Sequence, residues 1–193
     1  MKLYLLRHGE SEGNRQGLLC GWTDVPLTPT GTAQAEAARD RWGSVAFDEI
    51  FTSPLRRASE TARIVAGCRA VLAVDALRER NMGAFEGLTW EEVCHRYPGA
   101  PDAWSEDPVG YAPPDGESLL EVYARCGRAA DGLLAGYPEA ENLLVVSHGG
   151  ALACMLAHLL SQPPESALRY RFDNCGAAVV DITGGFAVLS RLG

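Results

Sequence analysis

The sequence predicts an α/β fold: a three-layer sandwich with a mostly parallel central sheet and helices on both faces. Three observations point there. Short apolar runs alternate with longer stretches of helical composition. One run, Leu143-Leu144-Val145-Val146, is apolar at every position, as expected of a parallel strand covered on both sides. The chain has 193 residues, 47% of them hydrophobic, enough to bury a sizeable core. No internal repeat, low-complexity tract or linker interrupts it. Residues 1–193 therefore read as a single domain, with a lid-like excursion around 88–116.

The elements follow in order. Lys2 to Leu6 reads as a buried strand. Thr28 is a suitable N-cap and Pro29 a suitable first residue for a helix running to Trp42. Phe47 to Thr52 is a second strand, and Ser53-Pro54 offers the same cap-and-proline start for a helix ending near Ala66. Val71 to Val74 is a third strand, and Thr89 to Tyr97 a short helix. Residues 98–114 hold five prolines and read as a long irregular excursion, of the kind that often serves as a lid. Glu117 to Leu134 carries an apolar stripe at helical spacing. Ala151 to Leu160 is apolar nearly all round, as a buried helix is. Ala177 to Ile182 and Phe186 to Leu189 read as closing strands around a Gly184-Gly185 turn.

Composition narrows function. The chain carries 17 Lys+Arg against 25 Asp+Glu, a net charge of -8, which argues against a nucleic-acid binder. Lys2 is the sole lysine. No apolar run is long enough for a membrane span, and the N-terminus lacks a signal-peptide core, so the expected location is the cytoplasm. The six cysteines show no CxxC or zinc spacing and read as free thiols. No metal or cofactor is expected.

The chemistry concentrates after the strands. Arg7-His8-Gly9, Ser53-Pro54-Leu55-Arg56-Arg57, Leu77-Arg78-Glu79 and Ser147-His148-Gly149-Gly150 each follow one. Carboxyl ends of parallel strands are where such sheets bind ligands. His8 and His148 each precede glycine, which lets a ligand approach closely; His95 and His158 read as ordinary structural histidines. Arginine forks match phosphate oxygens, imidazole can attack phosphorus, and a carboxylic acid can protonate the departing oxygen. Together these residues suggest phosphoryl chemistry without a metal.

At these motifs the chain resembles the histidine phosphatase superfamily, also called phosphoglycerate mutase-like. Leu6-Arg7-His8-Gly9-Glu10-Ser11-Glu12-Gly13-Asn14 is similar to its signature. Gly21-Trp22-Thr23-Asp24, Ser53-Pro54-Leu55-Arg56-Arg57-Ala58, Leu77-Arg78-Glu79, Gly116-Glu117-Ser118 and Val146-Ser147-His148-Gly149-Gly150 follow in family order. The resemblance implies that His8 is the nucleophile that becomes phosphohistidine. It implies that Arg7, Arg57 and His148 cradle the phosphoryl group, with Asn14, Cys20, Gly21 and Gly149 completing the substrate-binding set. Glu79 is then the acid that protonates the leaving group and the base that activates water. His8 must be unprotonated to attack, which Arg7 and Arg57 favour, while a protonated His148 is expected to stabilise the equatorial oxygens. The partner implied is a small phosphomonoester, and a homodimer is one assembly common in the family.

The family contains hydrolases and mutases. Only 69 residues separate Glu79 from His148, whereas mutases resemble one another in a longer insertion there with basic residues for a carboxylate. Residues 101–141 instead hold nine acidic residues and two basic ones. Mutases also commonly have threonine where this chain has Cys20. The sequence thus favours a phosphatase, and its run 168–176 looks most like the α-ribazole phosphatase and broad-specificity branches. The alternatives are a cofactor-dependent phosphoglycerate mutase and, more remotely, a non-catalytic phospho-ligand binding module. Trp22, Trp90, Trp104 and Tyr111 are candidates to stack on a substrate, with ordinary packing the simpler expectation.

Overall fold

The computed structural model describes residues 1–193. Four strands are mutually parallel: β1 (Lys2–Arg7), β2 (Glu49–Thr52), β3 (Leu72–Ala73) and β4 (Asn142–Ser147). A hairpin of β5 (Ala177–Thr183) and β6 (Phe186–Leu192) adds antiparallel to β1, giving the order β3-β2-β4-β1-β5-β6. Gly184 and Gly185, with φ of 58° and 83°, form its turn.

Strand alternation splits the core into two layers. Leu3 and Leu5 of β1 face α6 (Leu119–Gly136) and α7 (Gly149–Leu159). Tyr4 and Leu6 face α2 (Pro29–Trp42) and α3 (Arg56–Ala66). β4 does the same with Leu143 and Val145 on one side and Leu144 and Val146 on the other, hence its uniformly apolar sequence. Helix α7 is apolar all round because it lies between β1, α6 and the segment before β5.

Helix starts follow capping chemistry. Thr28 Oγ1 accepts from Gly31 N at α2 as expected. Ser118 and Glu121 form a reciprocal capping box at α6, and Thr89 and Glu92 one at α4 (Trp90–Arg96). Helix α3 corrects the expectation: it begins at Arg56 with Leu55 as an uncapped N-cap. Ser53 is not a cap because its hydroxyl accepts from Leu55 N and meets His148 Nε2.

The 98–114 stretch is also more regular than expected. It contains helix α5 (Ala100–Glu106), whose first turn takes Pro101, the one place where proline's missing N–H costs nothing. Helices α4 and α5 share a small core of Phe85, Val93 and Ala100, against which Trp104 and Tyr111 pack. A short helix α1 (Glu12–Gln16), capped by Ser11 and Asn14, follows β1. No helix is long and apolar enough to cross a membrane.

Candidate active site

The parallel strands end at one rim, and β1 and β4 lie side by side with Arg7 opposite Ser147. The next residue on each is a histidine, so adjacent strands deliver His8 and His148 together, ring centroids 5.1 Å apart. Both are buried. The His8 Nδ1 lies 2.6 Å from Gly9 O. Only a protonated Nδ1 can make that bond, so the neutral ring keeps its lone pair on Nε2. Burial, reinforced by Arg57 and Arg7, pushes the His8 pKa down to about 3, leaving the ring neutral and nucleophilic. Gly9 is required by close approach: a Cβ there would sit 2.3 Å from Gly31 O.

His148 differs from the expectation of a protonated ring. Burial, then Arg57, His8 and Arg7, hold it well below the usual imidazole range, so it is neutral in this structure. Its Nε2 is 2.8 Å from Ser53 Oγ. Its Nδ1 is buried without a partner; in the tautomer that accepts the serine hydroxyl's proton at Nε2, that nitrogen carries a free N–H. Arg7 presents the same feature. Its Nη1 donates to Phe172 O at 2.7 Å, while its buried Nε has no partner. Two buried nitrogens without partners, Arg7 Nε and His148 Nδ1, thus lie beside His8, an arrangement costly to maintain unless a ligand group binds there.

Arg57 is buried at the start of α3. It is held by three carbonyls: Thr23 at 2.9 Å, Cys20 at 3.0 Å and Gly21 at 2.7 Å. Cys20 and Gly21 therefore serve through their backbone oxygens, and the Cys20 thiol lies against Gly13. Arg56, by contrast, is exposed and pairs with Glu60. Asn14 is exposed at the rim, and its Oδ1 caps α1 and accepts from Asn174 Nδ2 at 3.2 Å. Gly149 opens α7, and a Cβ on it would lie 3.6 Å from Arg7 Nε.

Glu79 reaches the site from the chain after β3. Its carboxylate accepts from Arg80 N at 2.9 Å, Gly150 N at 3.0 Å and Ala151 N at 3.0 Å, the last two at the N-terminus of α7. Gly150 permits this, since a Cβ there would come within 2.7 Å of Glu79 Oε1.

Several supporting residues escaped sequence reasoning. Arg125 donates to Ala76 O, Arg78 O and Glu79 O at 2.8, 2.9 and 3.2 Å, and pairs with Glu117 at 2.8 Å. Glu117 in turn accepts from Asn81 N. Glu86 accepts from the backbone of Gly21, Trp22, Thr23 and Met82, fixing the loop that holds Arg57. Glu117 lies in the Gly116-Glu117-Ser118 segment singled out in the sequence; Arg125 carries no such signal, being one of four charged residues on α6. Asn174 also donates to His8 O.

The aromatic candidates mostly pack. Trp104 lies between Trp90, Tyr111 and the Arg80 guanidinium, which sits 4.4 Å over its ring. Trp22 donates from Nε1 to Glu79 O at 2.9 Å. His95 is exposed, and His158 pairs with Asp131. All six cysteines are free.

This constellation corresponds to a known family, whose model, the histidine phosphatase superfamily (branch 1), matches residues 3–193. The chain belongs to that superfamily. An adenosylcobalamin/alpha-ribazole phosphatase of Salmonella typhimurium is 34% identical over 194 residues, spanning 100% of this chain and 96% of the relative. A probable phosphoglycerate mutase GpmB of Yersinia enterocolitica is 36% identical over 187 residues, 94% of this chain and 85% of the relative. The crystal structure of a putative alpha-ribazole-5′-P phosphatase from Escherichia coli superposes with a TM-score of 0.94 at 32% identity, covering 100% of this chain and 95% of that one. The α/β architecture expected from the sequence is that of this structure.

Proposed function

We propose that this histidine phosphatase hydrolyses a small phosphomonoester through a phosphohistidine on His8, with α-ribazole 5′-phosphate as its first candidate substrate. The observation that carries the reading is the pair of unpartnered buried nitrogens, Arg7 Nε and His148 Nδ1, beside a neutral imidazole whose free lone pair is on Nε2. In the first step Nε2 forms a bond to phosphorus as the bond to the ester oxygen breaks. Arg7, Arg57 and His148 take the equatorial oxygens, and His148 can do so as a neutral donor. Glu79 gives its proton to the departing alcohol oxygen. In the second step Glu79 takes a proton from water, whose oxygen attacks phosphorus and releases His8.

The α-ribazole assignment is supported by full-length similarity to phosphatases of that name. The mutase reading is supported by the relatives named probable phosphoglycerate mutase. Rates on α-ribazole 5′-phosphate, 3-phosphoglycerate and simple sugar phosphates, with wild type and His8→Ala, separate them. Hydrolysis abolished in His8→Ala, with α-ribazole phosphate the best substrate, is the expected result. Isomerisation of 3-phosphoglycerate faster than any hydrolysis would establish the mutase instead. Full hydrolysis by His8→Ala would refute the phosphohistidine route.

A further inference from the structure

Ser53 follows β2 as His148 follows β4. Thr52 lies opposite Val146 in the parallel ladder, so the two strands release Ser53 and His148 at the same rim. Ser53 N still donates to Val146 O at 3.0 Å. Both side chains are fully buried. The Ser53 hydroxyl has two neighbours: Leu55 N donates to Oγ at 3.3 Å, and His148 Nε2 lies 2.8 Å away. Pro54 has no N–H, so Leu55, at the uncapped start of α3, supplies the backbone donor.

A hydroxyl has one proton and two lone pairs; a neutral imidazole has one N–H and one lone pair. Burial and the neighbouring arginines keep the His148 ring neutral, so it has a single proton to place. Leu55 N occupies one lone pair of Oγ. If Nε2 held the ring proton, it would donate to the other lone pair. The hydroxyl proton would then have no acceptor, and Nδ1 would present an unpaired lone pair beside His8. If the hydroxyl donates to Nε2 instead, both contacts of Oγ are satisfied, and the one group left open is the Nδ1 N–H. Buried polar groups without partners are costly, so the arrangement with one orphan is favoured over the arrangement with two. Its orphan is also a donor, which an anionic phosphoryl oxygen completes and which a lone pair would repel.

We propose that Ser53 is a positioning residue: its hydroxyl donates to His148 Nε2, fixes the ring proton on Nδ1 and so holds a donor ready for the phosphoryl group without charging the ring. The inference deepens the hydrolase reading above and rests on it. It is tested by two-bond 1H–15N spectra of ligand-free, 15N-labelled protein near neutral pH, with the His148 signals identified by their loss in His148→Gln. Wild type is expected to show a protonated Nδ1 and an unprotonated Nε2. Ser53→Ala is expected to average or reverse that pattern. It should also lower kcat/KM for p-nitrophenyl phosphate about tenfold or more, a part of what losing a preorganised donor outright costs. That ester's leaving group needs no proton, so the loss is not relayed through Glu79. Ser53→Thr, which keeps the hydroxyl, is expected to retain both properties, and Ser190→Ala, on the exposed strand β6, to change neither. A purely structural role for Ser53 would leave the tautomer where it is. A wild-type ring protonated on Nε2 alone, or on both nitrogens, overturns the inference even if a variant does not fold. Ser53→Ala with an unchanged tautomer or an unchanged kcat/KM overturns it as well. Wild type that hydrolyses no phosphomonoester overturns the hydrolase reading instead, and the spectra then still decide the tautomer.

Discussion

At the residue scale, the site depends on imidazoles kept neutral by burial and by neighbouring arginines. His8 and His148 were both legible in the sequence, because each ends a strand and precedes glycine. The neutral state of His8 was also expected, from Arg7 and Arg57; that of His148 was not, because it depends on how deeply Arg57 and the two rings pack together. Nor was the role of Ser53: Ser-Pro before a helix looks like a cap, and only the approach of β4 brings His148 Nε2 to its hydroxyl. The depressed pKa values have a consequence for folding. The unfolded chain protonates both rings near the ordinary value of 6.5, whereas the folded His8 does so only at about 3. The unfolded state therefore binds more protons, and stability falls as pH drops from about 6.5 towards 3. The slope is up to about 1.4 kcal/mol per pH unit for each histidine. Urea unfolding at pH 6.5, 5.5 and 4.5 should show this loss, and His8→Asn should have a shallower dependence. An identical slope in the variant would contradict the assignment.

At the element scale, strands and long helices were readable from apolar period and capping residues, and most boundaries shifted by only a few positions. The errors came from proline and from short elements. Five prolines suggested an irregular stretch, yet Pro101 sits in the first turn of α5, where proline is tolerated. Helix α1 is too short to show a period. The connection between elements that matters most was invisible. Arg125 on α6 ties three carbonyls around Glu79 to Glu117, so a helix remote in sequence positions the residue proposed as the acid. Removing one member of a largely buried ion pair leaves the other charge unpaired, so Arg125→Met should cost about 3–5 kcal/mol in urea unfolding. It should also lower kcat more than it raises KM. A variant as stable and active as wild type would show that the network does not position Glu79.

At the scale of the whole molecule, the net charge of -8 looks unsuited to an anionic substrate until its distribution is considered. Residues 101–141 account for most of it, leaving the rest of the chain near neutral, while Arg57 is buried and Arg7 half-buried at the candidate site. Salt screens the exposed acidic surface strongly and the partly or fully buried Arg7 and Arg57 more weakly. Raising NaCl from low to about 0.3 M, well past the point where the Debye length drops below 10 Å, should leave kcat/KM for a phosphomonoester unchanged or raise it. A steep fall with salt would mean that exposed cations, not Arg7 and Arg57, capture the substrate.

The central claim is that His8 Nε2 carries the phosphoryl group between the two half-reactions. Rapid alkaline quenching during turnover of a labelled phosphomonoester, followed by peptide mapping, tests it most directly. The claim predicts an acid-labile, alkali-stable label on His8, attached at Nε2 because Nδ1 is committed to Gly9 O. Turnover with no labelled His8, or label on Nδ1 or on another residue, would contradict it.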